Sequence, residues 1–137
     1  MLSESGVSSG DVIVQDEADS AVGLAVVQMA NAMGVKTINV ISKPYALDYE
    51  SAAAVVKGMG GDIVVTPAYL RSQKYDALVS DLPAPTVAFS AAGGNIASNV
   101  VRCLSSGKAV LYGAKSADPI VVPAESKVAV EGFWLDK

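Results

Sequence analysis

The stretch from Gly10 to Val27, GDVIVQDEADSAVGLAVV, determines how the rest of the chain is interpreted. It begins with a β-branched run, Val12 to Val14, continues through a turn of small and acidic residues, and ends in an apolar segment that opens at Val22-Gly23. Such a run is typical of a buried strand, and the apolar segment is typical of a helix that packs closely on it. The stretch therefore predicts a strand–turn–helix unit of the kind that binds a pyrophosphate at a helix N-terminus.

The same alternation of strand-length apolar runs and helical patterns continues to the end of the chain. It predicts a parallel sheet covered by helices on both faces. Strands are predicted at 11–15, 36–41, 62–66, 86–91, 108–112 and 127–131, and helices at about 21–33, 45–57 and 93–106. A weaker helix or irregular stretch is predicted over 68–82, and a short extended piece at 120–122. Six strands in this order predict an α/β fold with a doubly wound parallel six-stranded sheet (Rossmann), order 3-2-1-4-5-6.

Composition and charge exclude several classes of function. The chain has 137 residues, 51% of them hydrophobic and 18% charged, which suits a single domain, residues 1–137, with a buried core. The net charge is −4 and no basic cluster is present, so we expect no nucleic-acid partner. No apolar run approaches the roughly 20 residues that a membrane span needs, and the first residues do not resemble a signal peptide.

The side chains available for acid–base and metal chemistry are few. There is no histidine, which removes the commonest general base and the commonest metal ligand. The single cysteine, Cys103, excludes an internal disulfide and a multi-thiolate metal site, and its helical spacing from Val100 indicates a small core residue. Ser90 has no histidine to activate it. We therefore expect no metal site and assign no catalytic residue.

The turn after the first strand is a degenerate form of the fingerprint G-x-G-x-x-G. The segment Ala18-Asp19-Ser20-Ala21-Val22-Gly23 keeps only the last glycine, although Ala and Ser meet most of the requirement for small residues. The functional interpretation is a pyrophosphate site, and the alternative is a tight turn without a ligand. Asp16, Glu17 and Asp19 would bring negative charge close to a pyrophosphate unless their side chains point to solvent.

The end of the second strand bears on the choice of cofactor. A site for NAD requires Asp or Glu there, to bind the ribose hydroxyls. This chain has Ile41-Ser42-Lys43-Pro44 instead, and the hydroxyl of Ser42 and the ammonium of Lys43 suit a 2′-phosphate. The pattern favours NADPH over NADH, with a solvated lysine in a loop as the alternative.

Three further segments are expected at or near the carboxyl edge of the sheet, where ligands bind in open α/β folds. The segment Ala91-Ala92-Gly93-Gly94 follows the fourth strand, and Tyr112-Gly113-Ala114-Lys115 follows the fifth. Their glycines allow close approach of the backbone to a nicotinamide ribose, although ordinary turns use the same residues. Gly132-Phe133-Trp134-Leu135 follows the sixth strand, and this aromatic cluster is expected to pack on the nicotinamide end or on a missing domain.

With these residues in view, the chain resembles the cofactor domain of the medium-chain dehydrogenase/reductase superfamily, and within it the mitochondrial trans-2-enoyl thioester reductase branch. The matching stretches are Gly10 to Ala30, Thr37 to Val40, Tyr112-Gly113 and Gly132 to Leu135. The resemblance places Asp19, Ser20, Ala21 and Val22 at the pyrophosphate and Ser42 and Lys43 at the 2′-phosphate. It places Tyr112, Gly113, Ala114 and Lys115 at the ribose, and Phe133, Trp134 and Leu135 near the nicotinamide.

The resemblance implies the NADPH-binding part of a larger two-domain reductase that acts on the C=C bond of 2-enoyl thioesters, in fatty acid synthesis. The acyl thioester would contact a catalytic domain that this chain lacks. A mitochondrial location and a homodimer joined along the strand-6 edge, at Val128 to Val130, are implied as well. The chain departs from the family at three places that bear on cofactor affinity. Asp19 replaces an Asn of the family, Ala21 replaces a Gly, and residues 42–44 replace a segment that usually contains arginine. A quinone or alkene reductase domain and a non-catalytic nucleotide sensor are the alternatives.

Overall fold

The computed structural model of the chain describes residues 7–43, 45–92, 94–104, 106–112 and 127–132. The predicted positions Gly93, Gly113, Ala114, Lys115, Phe133, Trp134 and Leu135, together with the extended piece at 120–122, lie outside these residues. The strands are β1 (Val12–Gln15), β2 (Lys36–Val40), β3 (Ile63–Val65), β4 (Val87–Ser90), β5 (Ser106–Leu111) and β6 (Lys127–Gly132). The helices are α1 (Ala21–Met33), α2 (Ala46–Gly58), α3 (Pro67–Leu70), α4 (Gln73–Leu78) and α5 (Gly94–Arg102).

Strands β1 to β5 form a parallel sheet in the order β3-β2-β1-β4-β5, which confirms the predicted α/β class. At the centre, Val14 of β1 is paired with Ile38 of β2 on one side and with Ala88 of β4 on the other. Strand β6 is paired in parallel with β5, with Ser106 opposite Lys127. The connection between these two strands, residues 113–126, lies outside the described residues.

Helices cover both faces of the sheet, as the continuous apolar strands predict. Alternate residues of a strand point to opposite faces. On one face, Ile13 of β1 and Phe89 of β4 pack against Val26 and Ala30 of α1. Helix α2 extends this layer over β3 and over Ile41, which follows β2. On the other face, Val14 belongs to a core cluster that takes its helical side chains from α3, α4 and α5.

Local signals set the ends of α1 where the sequence places them. The side chain of Ser20 accepts a hydrogen bond from the Gly23 N–H at the start of the helix. Gly34 ends it in the left-handed conformation, with φ 74°, which suits a residue without a Cβ. The weaker helical stretch over 68–82 is two short helices, α3 and α4, because Thr66 and Pro67 start a turn that stops at Arg71.

A buried polar ladder links β1, β2 and β3 beneath α1. The Gln15 side-chain amide donates to Asn39 Oδ1 at 2.9 Å and to the Gly23 carbonyl at 3.0 Å. Asn39 Nδ2 donates in turn to Thr37 Oγ1 at 2.9 Å and to the Ile63 carbonyl at 3.0 Å. The ladder therefore holds the first turn of α1 against the central strands.

Candidate cofactor site

The β1–α1 turn has the compact geometry that a phosphate-binding turn requires. Ser20 Oγ donates to the Glu17 carbonyl at 2.7 Å and accepts from the Gly23 N–H at 3.1 Å. A Cβ at residue 23 would lie 2.5 Å from the Glu17 carbonyl oxygen and 2.6 Å from that of Ala18. Gly23 therefore plays the part of the third fingerprint glycine, which allows the helix to pack directly on the turn.

The first N–H groups of α1 are placed to bind an anion. The first N–H groups of a helix have no carbonyl partner within the helix. The side chain of Ser20 accepts a hydrogen bond from one of them, the N–H of Gly23. The N–H groups of Ala21 and Val22 remain at the positive end of the helix dipole, and no acidic residue stands in the first turn of α1. These two amides fit the pyrophosphate position predicted for Ala21 and Val22.

Asp19 and Lys43 meet across the mouth of this turn. Lys43 Nζ lies 2.9 Å from Asp19 Oδ2, and the hydrogen bond and charge of Asp19 raise the pKa of Lys43. Ser42 is exposed beside Lys43. The pair borders an open cleft of about 400 Å³, lined by Asp19, Lys43, Asp48, Ser51, Ala52 and Val55. The ammonium predicted for a 2′-phosphate is thus present at the cleft, but it is already neutralised by a carboxylate of the turn.

Asp16 does not face the turn. It is 1% exposed, at the end of β1, and its Oδ1 accepts hydrogen bonds from the N–H groups of Ala91 at 2.7 Å and Ala92 at 3.2 Å. Its Oδ2 accepts a hydrogen bond from the Ser90 hydroxyl. Burial raises the pKa of the Asp16 carboxyl, although the hydrogen bonds from Ser90, Ala91 and Ala92 oppose that shift. The predicted charge conflict with a pyrophosphate therefore involves Asp19 more directly than Asp16.

Tyr112, at the end of β5, lies beneath the same turn. Its side chain is buried in the cluster formed with α1, and its N–H donates to the Ser90 carbonyl at 2.9 Å. Its hydroxyl lies near Ser20 and has no well-formed hydrogen bond among the described residues. Burial, with the negative charges of Asp16 and Glu17, raises the pKa of Tyr112 to about 12. The phenol stays neutral at physiological pH.

The structure brings together the predicted residues of β1, α1, β2 and β5, and it adds two that sequence reasoning did not assign to the site. Asp16 and Ser90 join the ends of β1 and β4. A buried polar residue at the end of an apolar strand was the available signal, but nothing in the sequence indicates which strand its side chain contacts.

The described part of the chain contains no group of three His, Cys, Asp or Glu side chains that could hold a metal ion. Among the same residues, no helix is long and apolar enough to cross a membrane.

Comparison with known proteins identifies the relatives of this chain. It is 40% identical over 136 residues to the mitochondrial enoyl-[acyl-carrier-protein] reductase of Dictyostelium discoideum, a match that covers 96% of this chain and 38% of that protein. The corresponding protein of Arabidopsis thaliana is 37% identical over 134 residues, covering 94% of this chain and 35% of the relative. The chain is related to the mitochondrial enoyl reductases. No family model matches it.

These relatives confirm the resemblance to the mitochondrial enoyl reductase branch, and their names agree with the compartment that the resemblance implies. The chain spans little more than a third of the length of the curated relatives it matches, because it covers 38% and 35% of the two proteins above. The comparison therefore concerns one part of those proteins.

Solved structures show the same fold. The mitochondrial 2-enoyl thioester reductase heterodimer from Candida tropicalis has a TM-score of 0.82 at 23% identity, covering 94% of this chain and 38% of that one. The quinone oxidoreductase from Thermus thermophilus has a TM-score of 0.74 at 24% identity, covering 98% of this chain and 42% of that one. At this identity the likeness concerns architecture, and it is shared by reductases with different substrates.

Proposed function

We propose that this chain is the NADPH-binding domain of a larger two-domain mitochondrial oxidoreductase that reduces the C=C bond of 2-enoyl thioesters in fatty acid synthesis. The observation that carries the proposal is the 40% identity to a mitochondrial enoyl-[acyl-carrier-protein] reductase over nearly the whole chain. A 2-enoyl thioester reductase of the same fold has been solved with NADP and crotonyl-CoA.

The geometry of the β1–α1 turn fits NADPH. The amides of Ala21 and Val22 would hold the pyrophosphate, and the close packing at Gly23 leaves no side chain in its way. Ser42 and Lys43 would bind the 2′-phosphate at the cleft beside α2. Asp19 lines this cleft, Ser20 caps the adjoining turn and Tyr112 lies beneath that turn. The proposed set is completed, on sequence pattern and resemblance, by Gly93, Gly113 to Lys115 and Phe133 to Leu135.

The task of this domain is to bind and orient the cofactor, which when bound supplies a hydride for the substrate. The turn amides fix the pyrophosphate, and the ends of β1, β4 and β5 form the floor on which the nicotinamide half would rest. Among the described residues at these strand ends, the groups that could donate a proton are the carboxyl of Asp16 and the neutral phenol of Tyr112, and both are buried. The residue that supports protonation therefore belongs to the catalytic domain in this proposal.

The proposal includes the complete sheet order 3-2-1-4-5-6, with β6 as the outer strand. It is supported by the parallel pairing of Lys127–Gly132 with Ser106–Leu111. It also includes a homodimer formed along the β6 edge, supported by the unpaired backbone groups that an outer strand exposes. The two-domain organisation is supported by the length of the relatives, of which this chain matches little more than a third.

A quinone reductase is the second candidate, favoured by the fold shared with the Thermus thermophilus quinone oxidoreductase. The cofactor half of such an enzyme contacts little of the substrate, so the two candidates make the same demands on this domain. Activity assays of the longer two-domain protein proposed here would distinguish the two candidates. Reduction of a 2-enoyl thioester, with little activity on a quinone, would support the first candidate, and the reverse would support the second.

The cofactor proposal is tested by titrating the purified chain with NADPH and, separately, with NADH, in a calorimeter and by the fluorescence of Trp134. We expect saturable binding of both, with NADPH several-fold tighter because its 2′-phosphate would replace the Asp19 carboxylate as the charged partner of Lys43. Lys43→Gln should bring the two affinities together, whereas Lys57→Gln, a control at the exposed end of α2, should leave their ratio unchanged. Absence of saturable binding for either cofactor would contradict the proposal.

A further inference from the structure

The carboxylate of Asp16 bridges the two central strands, β1 and β4, at the point where the strand order reverses. Strand β1 has β2 on one side and β4 on the other, so the chain leaves β1 and β4 towards opposite faces. Ligands of open α/β sheets bind in the crevice outside the strand ends at such a point. Asp16 lies at the carboxyl end of β1, and all three of its side-chain partners belong to Ser90, Ala91 and Ala92 at the end of β4.

These contacts determine the path of the β4–α5 turn. Two consecutive backbone N–H groups point at one carboxylate oxygen, and the Ser90 hydroxyl points at the other. The Asp16 N–H also donates to the Phe89 carbonyl at 3.1 Å, so the two strand ends are linked in both directions. A carboxylate that is 1% exposed costs free energy to bury, and its three donors offset part of that cost.

From this geometry we propose that Asp16 is a positioning residue for the nicotinamide half of the cofactor. It holds the backbone of Ala91 and Ala92 at the height where the nicotinamide ribose would rest. The inference rests on the proposed function, because it assumes that a dinucleotide occupies the crevice. The inference divides the site into a nicotinamide part, which depends on Asp16, and an adenosine part, which depends on the β1–α1 turn and on Lys43. The Asp16 side chain bonds to residues of the β4–α5 turn and not to Lys43.

The test compares two ligands on the 137-residue chain, NADPH and adenosine 2′,5′-bisphosphate, which lacks the nicotinamide half. Asp16→Ala removes the acceptor of three donors, and we expect it to weaken NADPH binding about tenfold. Its affinity for the bisphosphate should stay within about twofold of the unchanged chain, as expected of a residue outside the adenosine half. Asp16→Asn keeps an oxygen for the Ala91 and Ala92 amides and should restore NADPH affinity to within about threefold.

Asp11→Ala is the matched control, because its carboxylate also accepts a backbone N–H, that of Ser8 at 2.9 Å, at the opposite end of β1. It should change neither affinity. Equal weakening of both ligands by Asp16→Ala would overturn the inference, since a general loss of structure affects both halves. If Asp16→Ala does not fold, Ser90→Ala replaces it, and unchanged NADPH affinity in that variant would equally overturn the inference. Failure of the unchanged chain to bind either ligand would instead refute the proposed function itself.

Discussion

Gly23 shows how a single residue constrains the β1–α1 turn. The carbonyl oxygens of Glu17 and Ala18 stand 2.5 and 2.6 Å from the place where a Cβ would lie, and both belong to backbone that cannot move aside easily. The same closeness brings the Gly23 carbonyl within 3.0 Å of the Gln15 amide. The last glycine of the degenerate fingerprint is therefore required by packing, whatever the ligand.

Replacing this glycine should destabilise the domain. Gly23→Ala forces an overlap with backbone, and we expect the free energy of unfolding to fall by about 2–3 kcal/mol. Gly58→Ala is the control, because a Cβ there meets nothing within 4 Å. It should leave stability unchanged or raise it by up to about 1 kcal/mol through helix propensity. Urea unfolding followed by circular dichroism measures both, and equal stabilities would contradict the packing argument.

Cys103 provides a prediction about pH. Burial raises the pKa of its thiol to about 11, and the nearby Tyr75 hydroxyl opposes that shift only in part. At pH 8 the thiolate fraction in the folded chain should therefore be about a hundredfold smaller than in the unfolded chain. A coloured disulfide reagent should react slowly with the native protein and rapidly in urea.

The same shift links Cys103 to stability. Folding favours the neutral thiol, so this contribution is fully present below the ordinary pKa, 9.0, and is lost as pH rises through 11. Cys103→Ala should lack that decline in unfolding experiments between pH 8 and 11. Fast reaction of the native thiol at pH 8 would contradict the raised pKa of Cys103, which is partly buried and packs against the core.

At the scale of elements, the polar ladder through β1, β2 and β3 is the feature that packing alone would not create. Gln15 and Asn39 are fully buried, and each side-chain amide donates two hydrogen bonds. Because they connect neighbouring strands to each other and to α1, they favour one register of β1 against β2 over alternatives one residue apart.

Asn39→Ala should lower the free energy of unfolding by about 2–3 kcal/mol, because it removes two donated bonds and leaves the Ile63 carbonyl without its side-chain donor. Lys36→Ala on the same strand is the comparison. The ammonium of Lys36 lies 4.0 Å from the Asp62 carboxylate, and both side chains are well exposed. Loss of that pair should cost less than about 1 kcal/mol. Thermal or urea unfolding distinguishes them, and similar losses would indicate that the ladder does not stabilise the fold.

For the whole molecule, the proposed outer position of β6 leads to an expectation about assembly. A strand at the end of a sheet exposes backbone donors and acceptors that a second copy can pair with. In the proposed sheet order, β6 is the outer strand next to β5, with which it pairs in parallel. We therefore expect the chain to sediment as a dimer at concentrations of tens of micromolar.

The position of the interface can be tested by crosslinking. In a Cys103→Ala background, Ala129→Cys places a thiol on β6, and mild oxidation should produce a disulfide-linked dimer if two copies pair there. Ala54→Cys, an exposed position on α2, is the control and should give no disulfide-linked dimer. A chain that sediments only as a monomer, or that crosslinks equally at both positions, would argue against the β6 interface.

The sequence alone determined the class of the fold and much of the β1–α1 unit. The ends of α1 are local, since Ser20 caps Gly23 three residues later and Gly34 closes the last turn, so composition and spacing predict them. The alternation of apolar strands with helices is also visible in the sequence, and it predicts the parallel sheet. Only the tertiary structure placed the Asp16 carboxylate on Ser90, 74 residues away along the chain, and the Lys43 ammonium on Asp19. Such partners depend on which strands become neighbours and on where each side chain points, and neither is recorded in local sequence pattern.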